Sequence, residues 1–520
     1  MKRLHKMPAF WILIAAAALY APLVVPYWKP TWDSGTYITL AQSLAEGKGY
    51  SYLGDPHVKY PPGFPLLLMP ILFLFGKNYL LMRALIAACA VGSIAAAFSL
   101  IRKSASFGFA LAAAVMTAVC YAMYFEATRV LSDLPYMFAS LGALLAMERY
   151  RSEPSRRMFW TAVALAAASY SIRIVGLMLA PAFALSLFID AKRGTEEGAE
   201  EGEPIKERLK RAGVVLGVMA LAVCVWMGRN ALVKSDEGAE LWEAATYERE
   251  LIVGSATDPT SETINSSQFM ARLKHNAVHY INLTASLLTG RKARSGASAY
   301  LLAGLACLGW VLSLRRRRGV MEYYAALYAA VFLIWPAHQG ERFLVPILPM
   351  IFFYALTPFA FLLEWTASRF KTLAGPLFRN ISIAVFLTAA AVGFLFSNAS
   401  SLSAAVKRER AVPYYQGGMG DYMAAFVWVK ENAPEDAVLI ANRAPYGIIT
   451  AERPTYTVPW VQGRHDMKWA SIERVGGTHA VASPGHGHIA QLIENYPSRF
   501  REIKRFGEYG IYEILERTTP

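Results

Sequence analysis

The chain has 520 residues, of which 55% are hydrophobic and only 17% are charged, and its mean hydropathy is +0.30. Soluble domains carry about a quarter charged residues, so this composition indicates a polytopic membrane protein and argues against a soluble one. The net charge of +14 comes from basic residues in short loops between apolar segments. That pattern is typical of membrane topology and argues against nucleic acid as a partner.

The cysteines argue against two further kinds of site. None of the four lies in a long hydrophilic region, so the sequence predicts neither a disulfide framework nor a zinc site. We interpret them as small buried hydrophobic residues. They are Cys89, Cys120, Cys224 and Cys307.

Eleven apolar segments are predicted to cross the membrane as helices. The first follows a basic start and has no clear small-residue cleavage site, so we predict an uncleaved span rather than a signal peptide. The segments are residues 9–27, 79–101, 106–124, 134–148, 158–172, 174–190, 212–228, 297–314, 320–336, 343–363 and 381–397.

Basic residues predict which loops face the cytoplasm. Lysine and arginine cluster at the N-terminus and in alternate loops, which the positive-inside rule places in the cytoplasm. The alternation holds only if residues 61–76, which begin with two prolines, do not cross the membrane, so we predict a re-entrant or interfacial segment there. The predicted external parts are residues 28–78, 125–133, 229–296, 337–342 and the chain after 397.

The sequence predicts a polytopic α-helical membrane protein with a C-terminal external α/β domain. Residues 1–397 form the membrane domain, with long external loops at 28–78 and 229–296, and residues 398–520 form the external domain. In the second part, the helix pattern YMAAFVWVKENAP is followed by the strand patterns DAVLIAN and HAVASP, a second helix pattern IAQLIENY and a last strand pattern YGIYEIL. The acidic run at 194–204 is predicted to be a cytoplasmic linker.

Two aspartates lie where external loops meet apolar segments. Asp33 follows the first segment, and Asp133 stands in FEATRVLSDLPYMF with Glu126 and Arg129 near it in sequence. One such carboxylate can simply mark the point at which a span reaches water. Two at the same predicted depth, both beside aromatic residues, indicate a functional cavity, because ionisable groups near hydrocarbon are costly.

Basic residues also occur on the external side, where the positive-inside rule predicts few. Snorkelling to the lipid headgroups would explain any one of them. Together they indicate an anionic ligand, for which lipid phosphate is the natural candidate. These residues are Lys59, Arg129, Arg173, Arg291 and Arg342.

The carboxylates and cations suit one class of reaction. A carboxylate can act as a general base toward a hydroxyl or an amine. Cations stabilise a phosphate as it leaves. A lipid phosphate that leaves while a hydroxyl attacks describes sugar transfer from a polyprenyl-phosphate sugar.

The loop motifs resemble those of the GT-C superfamily of membrane glycosyltransferases. DSGTYITLAQSLAEGKGY followed by YPPGFPLL resembles the first external loop of the bacterial branch related to protein O-mannosyltransferases and to the aminoarabinose transferase of lipid A. ATRVLSDLPYMF resembles the second acidic loop of that branch, and ERFLVPILPM resembles its late arginine-containing span. The order and spacing of the motifs fit from residue 10 to about 365.

This resemblance implies roles for four residues. Asp33 would act as the base on the acceptor, and Asp133 would be the second-loop acid that supports the site. Lys59 matches a basic residue before the paired prolines, and Arg342 would hold the donor phosphate. The aminoarabinose branch has an acid and a lysine directly before the prolines, whereas this chain has VKY there. A lipid A acceptor therefore does not follow from the resemblance.

The sequence leaves the metal content open. His57, Glu126 and Asp133 could offer ligands to a divalent metal, but their spacing does not demand one, and no cofactor is required. His338 is a further residue that could support the site. The two histidines of SPGHGHIAQL are interpreted as part of a helix cap rather than as a metal site.

The sequence therefore predicts an inverting glycosyltransferase in a bacterial inner membrane, with its N-terminus in the cytoplasm. The phosphate of a polyprenyl-phosphate sugar would lie among Lys59, Arg173 and Arg342, and Asp33 would take a proton from a lipid, glycan or protein acceptor. One alternative is a lipid flippase or transporter, although such proteins tend to place polar residues at the bilayer midplane. The other is an oligosaccharide polymerase or ligase with a diphosphate-linked donor.

Overall fold

The structure is a computed structural model of the chain. Three features discussed above lie outside the residues it describes: Arg291, His486 and most of the acidic linker, residues 197–203. The described residues are 8–196, 204–233, 246–255, 258, 260–290, 296–369, 376–411, 418–461, 463–483 and 487–515.

Helices dominate the described part of the chain. The first ten are α1 (Pro8–Tyr20), α2 (Trp32–Ala45), α3 (Gly63–Phe75), α4 (Tyr79–Ser104), α5 (Phe107–Val119), α6 (Tyr121–Ala127), α7 (Asp133–Ser152), α8 (Arg156–Ile172), α9 (Leu179–Glu196) and α10 (Ile205–Val233). The next ten are α11 (Tyr247–Ile252), α12 (Ser266–Thr289), α13 (Ala297–Arg317), α14 (Val320–Ile334), α15 (Leu348–Arg369), α16 (Pro376–Arg410), α17 (Gly418–Asn432), α18 (Ala444–Thr450), α19 (His465–Arg474) and α20 (His488–Asn495). Short 3₁₀ helices cover Ala21–Leu23, Ile174–Met178, Gly340–Ile347 and Pro497–Arg499.

Each predicted span coincides with one of these helices or with two consecutive ones. Within the described ranges, five helical stretches are long and apolar enough to cross a membrane, and α5 with α6, bent by 54°, would make a sixth. The chain is therefore a multi-pass membrane protein, whereas the number of eleven spans remains a prediction. The five are Tyr79–Ser104, Ile205–Val233, Ala297–Arg317, Gly340–Thr366 and Arg379–Arg410.

The segment 61–76 contains the 13-residue helix α3. At 1.5 Å per residue this helix is about 20 Å long, which is shorter than the hydrocarbon core of about 30 Å. Pro70 lies inside the helix, and Gly76 follows it with a φ of 62°. The length is consistent with the re-entrant or interfacial placement, which stays a prediction.

Contacts within the chain separate two compact units. The first comprises Met1–Pro26, Leu80–Arg229 and Ser267–Lys407, and the second comprises Tyr27–Tyr79, Asn230–Ser266 and Arg408–Pro520. The second unit thus combines stretches of both long predicted loops with the C-terminal region. The division of the chain at residue 397 stays a prediction about its domains.

Buried tyrosines connect helices of the first unit. The hydroxyls of Tyr136 on α7 and Tyr324 on α14 lie 2.6 Å apart in a hydrogen bond. Tyr328, also on α14, donates its hydroxyl to the Phe343 carbonyl at 2.8 Å. Because Phe343 lies in the 3₁₀ helix Gly340–Ile347, this bond holds that short helix against α14.

Helix α2 is packed into the second unit at its first turn. The Thr31 hydroxyl accepts from the Ser34 amide at 3.3 Å, and the Ser34 hydroxyl accepts from the Thr31 amide at 3.2 Å. This reciprocal capping fixes where the helix starts. Gly35 then lies against α18, where an added Cβ would be 2.4 Å from the Pro445 Cβ, so the close approach requires glycine.

The C-terminal region of the second unit forms a five-stranded sheet of order β4-β3-β5-β7-β6. β3 pairs in parallel with β4 and β5, whereas β7 pairs antiparallel with β5 and β6. The apolar core of this region includes Ile440, Trp469, Leu492 and Tyr512. The strands are β1 (Ser51–Tyr52), β2 (Asp55–Pro56), β3 (Leu439–Ala441), β4 (Thr455–Tyr456), β5 (His479–Ala482), β6 (Phe500–Phe506) and β7 (Tyr509–Ile514).

Sequence patterns found most of this α/β region. The predicted helices correspond to α17 and α20, and the predicted strands correspond to β3, β5 and β7. The pattern missed β6, whose sequence FREIKRF is largely charged and exposed. Charged residues are common on edge strands, because they hinder pairing with another chain, and they conceal the strand from a hydrophobic pattern.

Candidate functional site

The first unit contains a buried carboxylate held between two arginines. Oδ1 of Asp133 lies 2.5 Å from Nη1 of Arg173, and Oδ2 lies 2.6 Å from Nε of Arg342. The carboxylate is fully buried, and the two arginine side chains are only 15% and 10% exposed. Within this triad two cations face one anion, so the three residues together carry a positive charge, which suits binding of an anionic group.

Local structure explains how these three residues are presented. Asp133 begins α7, where the helix dipole favours a negative charge. Arg173 follows α8 in an extended conformation, and the turn after it brings Gly176 so close to Ser169 that a Cβ would lie 2.6 Å from its carbonyl carbon. Arg342 lies on the 3₁₀ helix that begins at Gly340, whose φ is 60°.

Two of the predicted supporting residues lie next to this cluster. Glu126 is 3% exposed, and its Oε1 lies 3.7 Å from Nη1 of Arg129. The Arg129 guanidinium also covers the Phe125 ring at 3.6 Å. The charges of Asp133 and of the arginines act on Glu126, so it belongs to the same electrostatic group.

Sequence reasoning missed Glu341, which the structure places beside this site. The Tyr121 hydroxyl donates to Oε1 of Glu341 at 2.9 Å, which ties α6 to the residue preceding Arg342. A signal for it existed, because Glu341 is an acid in the predicted external loop 337–342. Sequence reasoning selected the neighbouring Arg342 in that loop instead of Glu341.

His338 belongs to a histidine cluster. Its ring stacks on His279 with centroids 4.1 Å apart, and the centroid of His275 lies 5.1 Å from it. Nε2 of His338 is 2.6 Å from Oδ1 of Asn276, whose amide donates to carbonyls at the end of α14. Burial lowers the pKa of His338, and His279 and His275 lower it further, so the neutral ring is favoured. This cluster supports the loop that leads to Arg342.

In the second unit, Asp33 lies in the first turn of α2. Its Oδ1 accepts a hydrogen bond of 3.1 Å from the Tyr60 hydroxyl. Tyr60 is itself held by the Tyr50 hydroxyl, which donates to the Tyr60 carbonyl at 2.8 Å. The loop before the paired prolines therefore positions the carboxylate, and Tyr60 is a site residue that sequence reasoning missed.

Lys59 is paired with an acid that the sequence did not identify. Its Nζ lies 2.6 Å from Oε1 of Glu250 on α11, and the two side chains are 11% and 8% exposed. His57, in the same loop, stacks on Tyr60 and accepts the Tyr60 amide on Nε2 at 3.0 Å. Asp33, His57 and Lys59 thus converge on one loop of the second unit.

No metal centre is apparent among the residues that the structure describes. Across those ranges, no group of three or more histidine, cysteine, aspartate or glutamate side chains is arranged to hold a metal ion. Of the three candidate ligands, Glu126 and Asp133 belong to the arginine cluster of the first unit, and His57 belongs to the Tyr60 loop of the second unit.

Comparison with known proteins gives fold-level matches. No family model matches the sequence, and no curated protein matches it significantly. ArnT from Cupriavidus metallidurans, solved bound to undecaprenyl phosphate, is similar in structure with a TM-score of 0.59, 12% identity and coverage of 97% of each chain. The archaeal oligosaccharyltransferase AglB from Archaeoglobus fulgidus, solved with an inhibitory peptide and a dolichol-phosphate, has a TM-score of 0.56 and 14% identity. That match covers 92% of this chain and 70% of AglB.

Both solved structures are members of the GT-C superfamily that the loop motifs resemble. At identities of 12% and 14%, the two matches show the fold of this chain but not the roles of its residues. The resemblance is therefore confirmed at that level: the chain has the fold of the GT-C membrane glycosyltransferases.

Proposed function

We propose that the chain transfers a sugar from a polyprenyl-phosphate donor to an acceptor on the external side of a bacterial inner membrane, with inversion at the anomeric carbon. One observation carries the proposal. A buried carboxylate orients two arginines, in a fold whose solved examples include complexes with undecaprenyl phosphate and dolichol-phosphate.

Arg173 and Arg342 would bind the donor phosphate. A guanidinium carries five N–H groups, so pairing with one carboxylate oxygen does not exhaust its donors. Asp133 holds both guanidiniums in place before the ligand arrives, which reduces the cost of ordering them in the transition state. Asp133 is in this sense a positioning residue, and the arginines make the contact.

Asp33 would accept the proton of the acceptor. The Tyr60 hydroxyl donates to Oδ1 and so orients the carboxylate. An ionised carboxylate has about four lone-pair sites, so one such hydrogen bond does not exhaust its capacity to accept a proton. The acceptor oxygen then attacks the anomeric carbon, and the bond from that carbon to the phosphate oxygen breaks. The electron pair of that bond leaves with polyprenyl phosphate, and attack opposite the leaving group inverts the configuration.

Lys59 would exchange one anionic partner for another. In the structure it pairs with Glu250 at 2.6 Å. The leaving polyprenyl phosphate is a monoester that carries more negative charge than one carboxylate, so it would compete for the ammonium group as the bond to the sugar breaks. Glu250 would then hold Lys59 in place in the absence of donor, because a buried lysine without an anion is costly.

The proposal is tested by transfer of radiolabelled sugar from polyprenyl-phosphate sugars in membranes that contain wild type or single variants. Asp33→Asn should lower transfer by about 10²-fold or more, as expected for loss of a general base. Arg342→Ala should also lower transfer strongly, because it removes a cation from the leaving phosphate.

The matched control for Arg342→Ala is Arg316→Ala in the same unit. Arg316 is 48% exposed and pairs with Glu364, which is 44% exposed, so its loss should leave transfer unchanged. Full transfer by Asp33→Asn would remove Asp33 from the mechanism. Absence of transfer with every donor, together with movement of donor across the bilayer, would favour the flippase.

A further inference from the structure

The second unit contains a polar cavity that the proposed reaction does not use. Its volume is about 810 Å³, and it is lined by residues of α2, of the loop after α2, of the turn between α3 and α4, and of the region from α18 to β4. All of these elements belong to one compact unit. The lining is rich in hydroxyl, amide and charged groups, so it suits a polar ligand rather than a lipid chain.

The cavity lies on a different face of α2 from Asp33. Thr39, Gln42, Ser43 and Glu46 line it, and their spacing of three and four residues places them on one side of the helix. At 3.6 residues per turn, Gln42 lies about 180° around the helix from Asp33. The cavity is therefore a site separate from the proposed base.

Two tight turns border this cavity. Leu53, with a φ of 56°, stands in the two-residue turn that joins β1 to β2. Glu452, with a φ of 53°, follows the C-terminal end of α18. Both positions commonly adopt a left-handed backbone, so the turns themselves explain the two φ values.

The charges that line the cavity sum to a positive value. Lys48 pairs with Glu46 at 2.6 Å, and Lys77 pairs with Glu452 at 3.2 Å. Arg453 is the additional cation, and within the described residues its guanidinium has no carboxylate partner. A guanidinium of this kind can bind a carboxylate or phosphate of a ligand through two hydrogen bonds.

The hydrogen-bonding groups that line the cavity suit a ligand with hydroxyls on adjacent carbon atoms. Gln42 donates to Glu46 at 2.7 Å, so an amide and a carboxylate stand side by side. The hydroxyls of Ser43 and Ser51 lie 2.7 Å apart, and Tyr456 offers an aromatic ring in the same cavity. Planar polar groups bind pairs of sugar hydroxyls, and an aromatic ring packs on the apolar face of a sugar.

We propose that this cavity binds an acidic saccharide through Arg453, Gln42 and Tyr456, at a site separate from the reacting groups. The binding does not depend on sugar transfer. The assignment of that saccharide as the acceptor glycan rests on the proposed function, in which case the cavity retains a polymeric acceptor beyond its reacting end.

The test is direct binding of saccharides to the purified full-length protein in nanodiscs, in the absence of donor. The probes are oligogalacturonate, neutral malto-oligosaccharide of equal length, and inorganic phosphate. Wild type should bind oligogalacturonate in preference to the other two. Arg453→Ala and Gln42→Leu should each weaken that binding about tenfold, which corresponds to about 1.4 kcal/mol.

Two controls keep the test decisive. Lys504→Ala removes an exposed cation of β6 in the same unit and should leave binding unchanged. Arg453 also donates to the Pro434 carbonyl at 3.0 Å, so its variant can lose stability, whereas Gln42→Leu removes only a contact with Glu46. Equal affinity in wild type and Gln42→Leu, binding of phosphate alone, or no binding of oligogalacturonate would each overturn the proposal. Since no donor is present, failure of sugar transfer leaves this result untouched.

Discussion

At the scale of single residues, Asp133 of the first unit balances the positive charges of two arginines. Its carboxylate is fully buried and is the shared partner of Arg173 and Arg342. Asp133→Asn keeps the shape but leaves two guanidiniums facing a neutral group. Breaking a buried ion pair in this way costs about 3–5 kcal/mol, so we expect a markedly lower Tm in detergent together with loss of transfer.

We expect the lower Tm of Asp133→Asn to result from the unbalanced arginine charges, because asparagine has nearly the same shape as aspartate. The double variant Asp133→Asn with Arg173→Gln removes one of the two stranded charges, so it should regain part of the lost Tm. Glu364→Gln, in an exposed pair with Arg316, is the control and should change stability by less than about 0.5 kcal/mol. An unchanged Tm in Asp133→Asn would contradict the view that the carboxylate neutralises the arginines.

The histidine cluster predicts a pH dependence of stability. Burial lowers the pKa of both His279 and His338 from the ordinary value of 6.5. The unfolded chain therefore binds protons more readily than the folded chain at these sites. Their contribution to stability is complete above pH 6.5 and is lost as the pH falls through the lowered pKa values.

We expect the Tm of wild type to fall between about pH 7.5 and about pH 5, partly because of these two histidines. The variant His338→Gln keeps an acceptor and donor for Asn276 but has no titratable ring, so its Tm should fall less steeply. His465→Gln, on α19 of the second unit, is the control. An identical pH slope in wild type and His338→Gln would show that the cluster is not a source of the dependence.

At the scale of elements, the contact between α2 and α18 carries a steric prediction. An added Cβ at Gly35 would lie 2.4 Å from the Cβ and 3.2 Å from the carbonyl oxygen of Pro445. Gly35→Val should therefore force the two helices apart and lower the free energy of unfolding by about 1–3 kcal/mol. Gly213→Ala on α10 is the control, because an added Cβ there meets nothing within 4 Å. Equal effects of the two substitutions on Tm would exclude close packing at Gly35.

At the scale of the whole molecule, the proposal requires that the C-terminal region be external and the 149–157 loop cytoplasmic. A variant without native cysteines would carry either Lys504→Cys on β6 or Arg156→Cys at the start of α8. A membrane-impermeant maleimide should label the first in intact spheroplasts and the second only after permeabilisation. The reverse order would place the region on the cytoplasmic side and remove the external transfer reaction.

The amino-acid sequence by itself determined the local structure. Apolar length and basic loops predicted a helix at every proposed span, because these signals are contained in about 20 consecutive residues. The strands β3, β5 and β7 were predictable for the same reason, since a short apolar run bounded by turn residues is a local signal. Asp33, Asp133 and Arg342 could be selected because each is a charge at a boundary where charge is costly.

The tertiary structure alone decided which charges meet. Arg342 and Asp133 are 209 residues apart in sequence, and Lys59 and Glu250 are 191 apart, so neither pairing leaves a local pattern. Glu250, Tyr60 and the two histidines that surround His338, His275 and His279, were missed for this reason. An ion pair depends on a distance of a few ångströms between atoms, and only the packing of remote segments brings those atoms together.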